Sequence, residues 1–136
     1  MPVKRYRGDK AKADRIFSEI IRGLGYCEAK GVGGRNCSSQ LQTAHIVTRK
    51  RSATRTDLRN AYCLCFAHHR WFTDYPREFS HFISDTWGQS YYDAVYLKSI
   101  TPTKVDWSER VEFLKDIQER IKANGLTIKG ARQYEV

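Results

Sequence analysis

The sequence predicts an α+β fold, in which two short strands and a following helix lie mid-chain with helices on either side. Three observations predict it. QLQTAHIV, residues 40–47, alternates as a short strand does, and AYCL, residues 61–64, supplies a partner strand. Apolar residues recur at helical spacing near both ends: Ile16, Phe17, Ile20, Ile21 and Leu24, then Val111, Leu114, Ile117 and Ile121. Between the strands, TRKRSATRTDLR has neither period and reads as a basic loop.

The elements follow in order. Residues 1–9 read as a basic arm and residues 10–24 as a helix, with Gly23 and Gly25 as stop signals. Residues 27–39 are Gly-rich and polar, hence a loop. A helix starts near Phe66. PREFSHFISDTW carries Pro76 in a favourable first turn, with Phe79, Phe82 and Ile83 on one face. Residues 89–98 suit another helix. In DWSERVEFLKDIQERIKANG, Asp106 is placed to cap the start and Gly125 to follow the end. Trp87, Tyr91, Tyr92 and Trp107 read as core, and His81 as a surface residue. The tail from Thr127 carries no pattern.

At 136 residues and 40% hydrophobic, the chain is the size of one compact domain able to bury a core. Its net charge of +9 is uneven. Residues 1–60 hold 14 Lys/Arg against 5 Asp/Glu, and residues 61–136 hold 10 of each. A localised positive field suits a polyanion, so nucleic acid is the expected partner. No apolar run is long enough to span a bilayer, and PVKRYRGDK lacks the apolar centre of a signal peptide. A reducing, cytoplasmic compartment is therefore expected.

In such a compartment structural disulfides are rare, so Cys27, Cys37, Cys63 and Cys65 need another reading. A tetrahedral structural zinc site takes four N or S ligands, usually as two short-range pairs. Cys65-x-x-His68 is one such pair, and Cys27 with Cys37 is the natural second. Cys63 is the substitute candidate, since strand alternation points it the same way as Cys65.

Neighbouring helical side chains point about 100° apart, so with His68 on zinc, His69 faces elsewhere. Upstream lie His45 and, after fourteen residues, Asn60; eight more residues separate Asn60 from His69. In TAHIVTR, LRNAY and FAHHRWF this spacing resembles the HNH endonucleases, with their ββα-metal fold. Cys65-x-x-His68 stands where many members have Cys-x-x-Cys before the last motif histidine. LQTAHIVTRKRSATRTDLRNAYCLCFAHHRWFTDYP is further similar to small phage-encoded HNH proteins. The resemblance covers about residues 26–83, leaving residues 1–25 as arm and helix and residues 84–136 as a helical extension. A ββα core buries little by itself, which gives the zinc and the added helices a physical reason.

The resemblance implies a metal-dependent endonuclease acting on DNA, with 5′ phosphate and 3′ hydroxyl products. His45 would be the general base, since a neutral imidazole accepts a proton near pH 7. Asn60 would hold the loop and His45 in place, because its amide both donates and accepts. His69 would ligate a catalytic divalent ion, Mg²⁺, Mn²⁺ or Ni²⁺. One departure stands out. Many members carry an Asp or His metal ligand directly before the base, where this chain has Ala44. Asp57 and Asp74 are the substitute carboxylates. Arg49, Lys50, Arg51, Arg55 and Arg59 are the expected phosphate contacts, with Lys4, Arg5 and Arg7 reaching a neighbouring groove. The phage-like form implies work in a host-cell cytoplasm beside packaging or DNA-processing proteins. The competing reading is a zinc-stabilised DNA-binding module whose nuclease site has decayed.

Overall fold

The computed structural model describes residues 2–135, with side chains from residue 8 onward. The helix α1 spans Pro2–Arg22. It begins at Pro2 rather than after a basic arm, because Lys and Arg lose little rotamer freedom in a helix and extend one already anchored by packing. The side chains of Lys4, Arg5 and Arg7 lie outside the described residues. Ile16, Phe17, Ile20 and Ile21 are buried along one stripe of α1.

The strands β1 (Leu41–His45) and β2 (Ala61–Cys65) form an antiparallel ribbon, with Leu41 opposite Cys65 and His45 opposite Ala61. All five residues of β2 are buried, so both faces of this strand are covered. Ala61 and Cys63 join Phe17, Ile20, Leu114 and Ile117 in one core. Tyr62 and Leu64 join Ala44, Phe72, Phe82 and Ile83 in the other. The ribbon is thus a partition between two apolar layers, and the fold is α+β.

The second layer comes from α2 (Phe66–Asp74) and α3 (Pro76–Trp87), which follow β2 directly. Next come α4 (Gln89–Ile100) and α5 (Trp107–Lys122). The Asp106 side chain accepts from Glu109 N–H at 3.1 Å, as the capping pattern predicts. The left-handed residue that ends α5 is Asn124, at φ 59°, one position before Gly125. α5 packs along α1, so the two flanks of the chain make one layer.

The tail is not featureless. Ile128–Arg132 form a short helix, α6, whose Arg132 is 8% exposed. Its guanidinium donates to the carbonyls of Leu58 at 3.0 Å and Ala61 at 2.9 Å, and forks onto Glu28 at 3.1 and 3.3 Å. It also lies 4.7 Å from the Trp87 ring, which stacks on Tyr62 at 3.9 Å and packs on Tyr91 at 4.6 Å. Trp87 and Trp107 are packing residues, as the sequence predicts.

Candidate metal centre and the strand-end histidine

The loop after α1 folds back onto the start of α2. It can do so because Gly33, at φ 69°, passes under Trp71, where a β-carbon would lie 2.4 Å from the ring. This loop carries Cys27 and Cys37 to the end of β2. There Cys65 caps α2, its sulfur accepting from His68 N–H at 3.3 Å.

The result is a cluster of Cys27, Cys37, Cys65 and His68 whose ligand atoms all lie within 4.8 Å of one another. His68 Nδ1 is 3.7, 3.6 and 3.2 Å from the sulfurs of Cys27, Cys37 and Cys65. A tetrahedral ion with bonds of about 2.3 Å to sulfur and about 2.0 Å to nitrogen holds these atoms roughly 3.5 Å apart. The spacing is therefore compatible with a structural metal site. Nε2 of His68 lies 3.1 Å from the Val32 carbonyl, which fixes the ring and leaves Nδ1 as the ligand atom. Burial raises the Cys65 thiol, but hydrogen bonds from His68 and Ser38 outweigh it and hold the group at about 6. Burial pushes Cys27 up to about 12. A bound cation reverses that penalty, since a coordinating thiol is deprotonated outright.

Cys63 is outside this cluster. It is buried between α1 and α5, and burial pushes its thiol up to about 11. The alternation argument misplaces it, because Cys65 sits at the strand end and turns into the opposite layer.

Asn60 is completely buried and latches the basic loop. Its Oδ1 accepts from Val47 N–H at 2.8 Å, while Nδ2 donates to the carbonyls of Val47 at 3.1 Å and Thr54 at 2.9 Å. His45 ends β1 with Nε2 3.0 Å from the carbonyl of Arg55. A carbonyl only accepts, so Nε2 carries the proton and Nδ1 keeps a lone pair. The ring packs on Phe17 at 5.3 Å and borders a hollow of about 150 Å³ shared with Asp14, Ser18, Thr43 and Arg49. Burial holds His45 below the ordinary histidine value, with Arg49 and Arg55 reinforcing it and the Arg55 carbonyl and Asp14 opposing it.

His69 lies elsewhere. Its Nδ1 is 2.8 Å from Oε1 of Gln42, and burial lowers its basicity. Gln42 and Ala44 face the α2 layer, while His45 packs on α1. The structure therefore sets the two histidines on different faces of the ribbon. Ala44 is 1% exposed. Among the described residues, Cys27, Cys37, Cys65 and His68 are the one group of three or more metal-ligating side chains gathered together. Gln42 holds Nδ1 of His69, which leaves Nε2 as the nitrogen for a divalent ion that would be completed by phosphate oxygens and waters. Asp57 adds no ligand beside His69. Its carboxylate is 1% exposed and taken by Arg59 at 2.9 Å and Lys98 at 2.7 Å. Asp74 is exposed and pairs with Arg70 at 3.8 Å.

The basic loop divides in two. Arg49 is 58% exposed, and Lys50 and Arg51 are exposed. Arg55 and Arg59 are only 18% exposed, being paired with Asp14 and Asp57. Three of the five expected phosphate contacts thus keep exposed side chains, Arg49 while 3.7 Å from Asp14. Sequence reasoning missed Asp14 and Gln42. Asp14 left a signal, because it falls on the apolar stripe of α1, one turn before Phe17 and Ser18.

No family model, no curated protein and no solved structure matches this chain. No helix among the described residues is long and apolar enough to cross a membrane.

Proposed function

We propose that this chain is an HNH-type DNA endonuclease whose ββα core, β1, β2 and α2, is held together by a structural zinc ion. The zinc reading rests on the donor set. Three thiols and one imidazole at tetrahedral spacing, with the second imidazole nitrogen bonded to a carbonyl, suit Zn²⁺ better than oxygen-seeking ions. A coordinated His68 also ties the start of α2 to the loop before β1.

The nuclease reading rests on one observation. His45 ends a strand with Nε2–H held by the Arg55 carbonyl and Nδ1 left as an acceptor, beside the exposed Arg49. Its depressed basicity keeps it neutral at pH 7, as a general base must be. With DNA bound, Arg49, Lys50 and Arg51 contact phosphates. His45 Nδ1 takes a proton from water, the hydroxide bonds to phosphorus, and the bond to the 3′ oxygen breaks; the departing 3′ oxygen takes a proton from solvent, to which the imidazolium later returns its own. Asn60 keeps the loop that supplies the Arg55 carbonyl closed.

The second reading, a zinc-stabilised DNA-binding module, is favoured by the surroundings of His69, where Ala44 is buried and no carboxylate among the described residues joins the imidazole. One assay separates the two. Supercoiled plasmid is incubated with protein under Mg²⁺, Mn²⁺, Ni²⁺ or EDTA, alongside His45→Ala and His69→Ala. Nicked circles that disappear in His45→Ala support the nuclease, and their survival in EDTA or in His69→Ala removes the catalytic metal from the account. Plasmid that stays intact under every condition, yet shifts in a gel, establishes the binding module instead.

A further inference from the structure

We propose that Asp14 is a positioning residue for the His45 site, acting through Arg55, so that α1 is a wall of that site. The inference rests on the reading of His45 as the base, and it places a determinant of that base well outside the motif around it.

A backbone carbonyl in an irregular loop has no intrinsic reason to face a strand end, so something must hold it there. In this loop the Arg55 side chain does. Nε and Nη2 fork onto the Asp14 carboxylate at 2.9 and 2.8 Å, and Nη1 donates to the Arg49 carbonyl at 3.1 Å. A forked guanidinium–carboxylate pair fixes direction as well as distance. Both side chains are largely covered, Arg55 at 18% and Asp14 at 24% exposure. The carbonyl of this same residue accepts from His45 Nε2. The chain of contacts therefore runs from a rigid helix, through one ion pair, to the tautomer of the imidazole.

Asp14 has a second effect on the hollow. Its Oδ2 lies 3.7 Å from Arg49 Nη2, near enough to bias that exposed cation toward His45 without covering it. Phe17, three residues along, supplies the surface on which the His45 ring rests. One face of α1 thus provides both the ring's support and the pair that orients it. The loop is independently latched by Asn60, so neutralising Asp14 releases Arg55 without unravelling the loop.

The test uses Asp14→Asn and Asp14→Glu in the full chain. Side-chain ¹⁵N spectra report the His45 tautomer, and plasmid nicking reports kcat and KM separately. The wild-type protein is expected to show a single Nε2–H form and Asp14→Asn a mixture of both tautomers. In Asp14→Asn, kcat falls by roughly ten- to a hundredfold, the loss expected when a reacting group shifts by about 1 Å. KM changes little, and Asp14→Glu recovers part of the loss. A wild-type tautomer spectrum in Asp14→Asn overturns the proposal. Should Asp14→Asn fail to fold by circular dichroism, Arg55→Lys, which keeps the charge but loses the fork, is read by the same criteria. A wild-type protein that nicks nothing defeats the nuclease reading, while the tautomer spectra still decide the role of Asp14.

Discussion

The Glu135 carboxylate accepts a hydrogen bond from the backbone N–H of Leu58 at 2.6 Å, joining the end of the chain to the basic loop. Arg110 of α5 pairs with the same carboxylate, at 2.8 Å to its Oε1, and donates to Thr56 Oγ1 at 2.9 Å. Removing Glu135 leaves the largely covered Arg110 guanidinium without its counter-ion and the buried Leu58 N–H without a partner. Glu135→Ala is expected to cost about 3–5 kcal/mol in chemical denaturation. A loss below about 1 kcal/mol makes the pair a surface contact in effect.

Removal of the metal is expected to loosen the whole ββα core. Treatment with a strong chelator should lower Tm by about 10 °C or more, because a metal bound at such a site contributes folding free energy. Elemental analysis should find one zinc per chain, and Cys37→Ser should weaken its retention. An unchanged melting curve with no zinc present refutes the structural site.

Acidity offers a separate check on His45. Burial lowers its affinity for protons in the folded state below the ordinary value of 6.5. The unfolded chain thus binds more protons at this residue than the folded one, and the contribution of His45 to stability rises with pH through that window. The acid limb of kcat/KM, which reports the free enzyme, is expected below pH 6.5. A limb at or above that value contradicts a buried neutral base.

The two kinds of arginine in the basic loop should behave differently. Arg49→Ala and Lys50→Ala are expected to reduce the slope of log K against log salt by about 0.9 each on duplex DNA, with unchanged Tm. Arg59→Ala should instead destabilise the protein, since it strips one of the two cations from the buried Asp57. Equal effects on DNA binding from all three would erase the division.

Much of the local structure was legible because its signals are short-range. The alternation in β1, the stripe of α5 and the Asp106 cap depend on residues a few positions apart. Cys65-x-x-His68 was likewise visible, and Cys27 and Cys37 were its natural partners, though the sequence left Cys63 open as a substitute. Long-range polar pairing was not legible. Arg132 and Glu28 are 104 positions apart, and nothing in the five residues of α6 marks them as helical or buried. Arg55 and Arg59 looked like phosphate contacts because a list of cations does not say which are neutralised by the fold. The departure at Ala44 was visible in the sequence; its burial under α2 and α3 was not.

The fork between Arg132 and Glu28 also orders events during synthesis. All four ligands of the metal centre lie between Cys27 and His68, so that centre can close while later residues are still inside the ribosome. Glu28, next to the first of these ligands, must wait for Arg132 to emerge before its charge is balanced. At about 5–20 residues per second, the interval lasts several seconds. Through that interval a metal held by these four ligands, and not the finished core, would hold the young ribbon together.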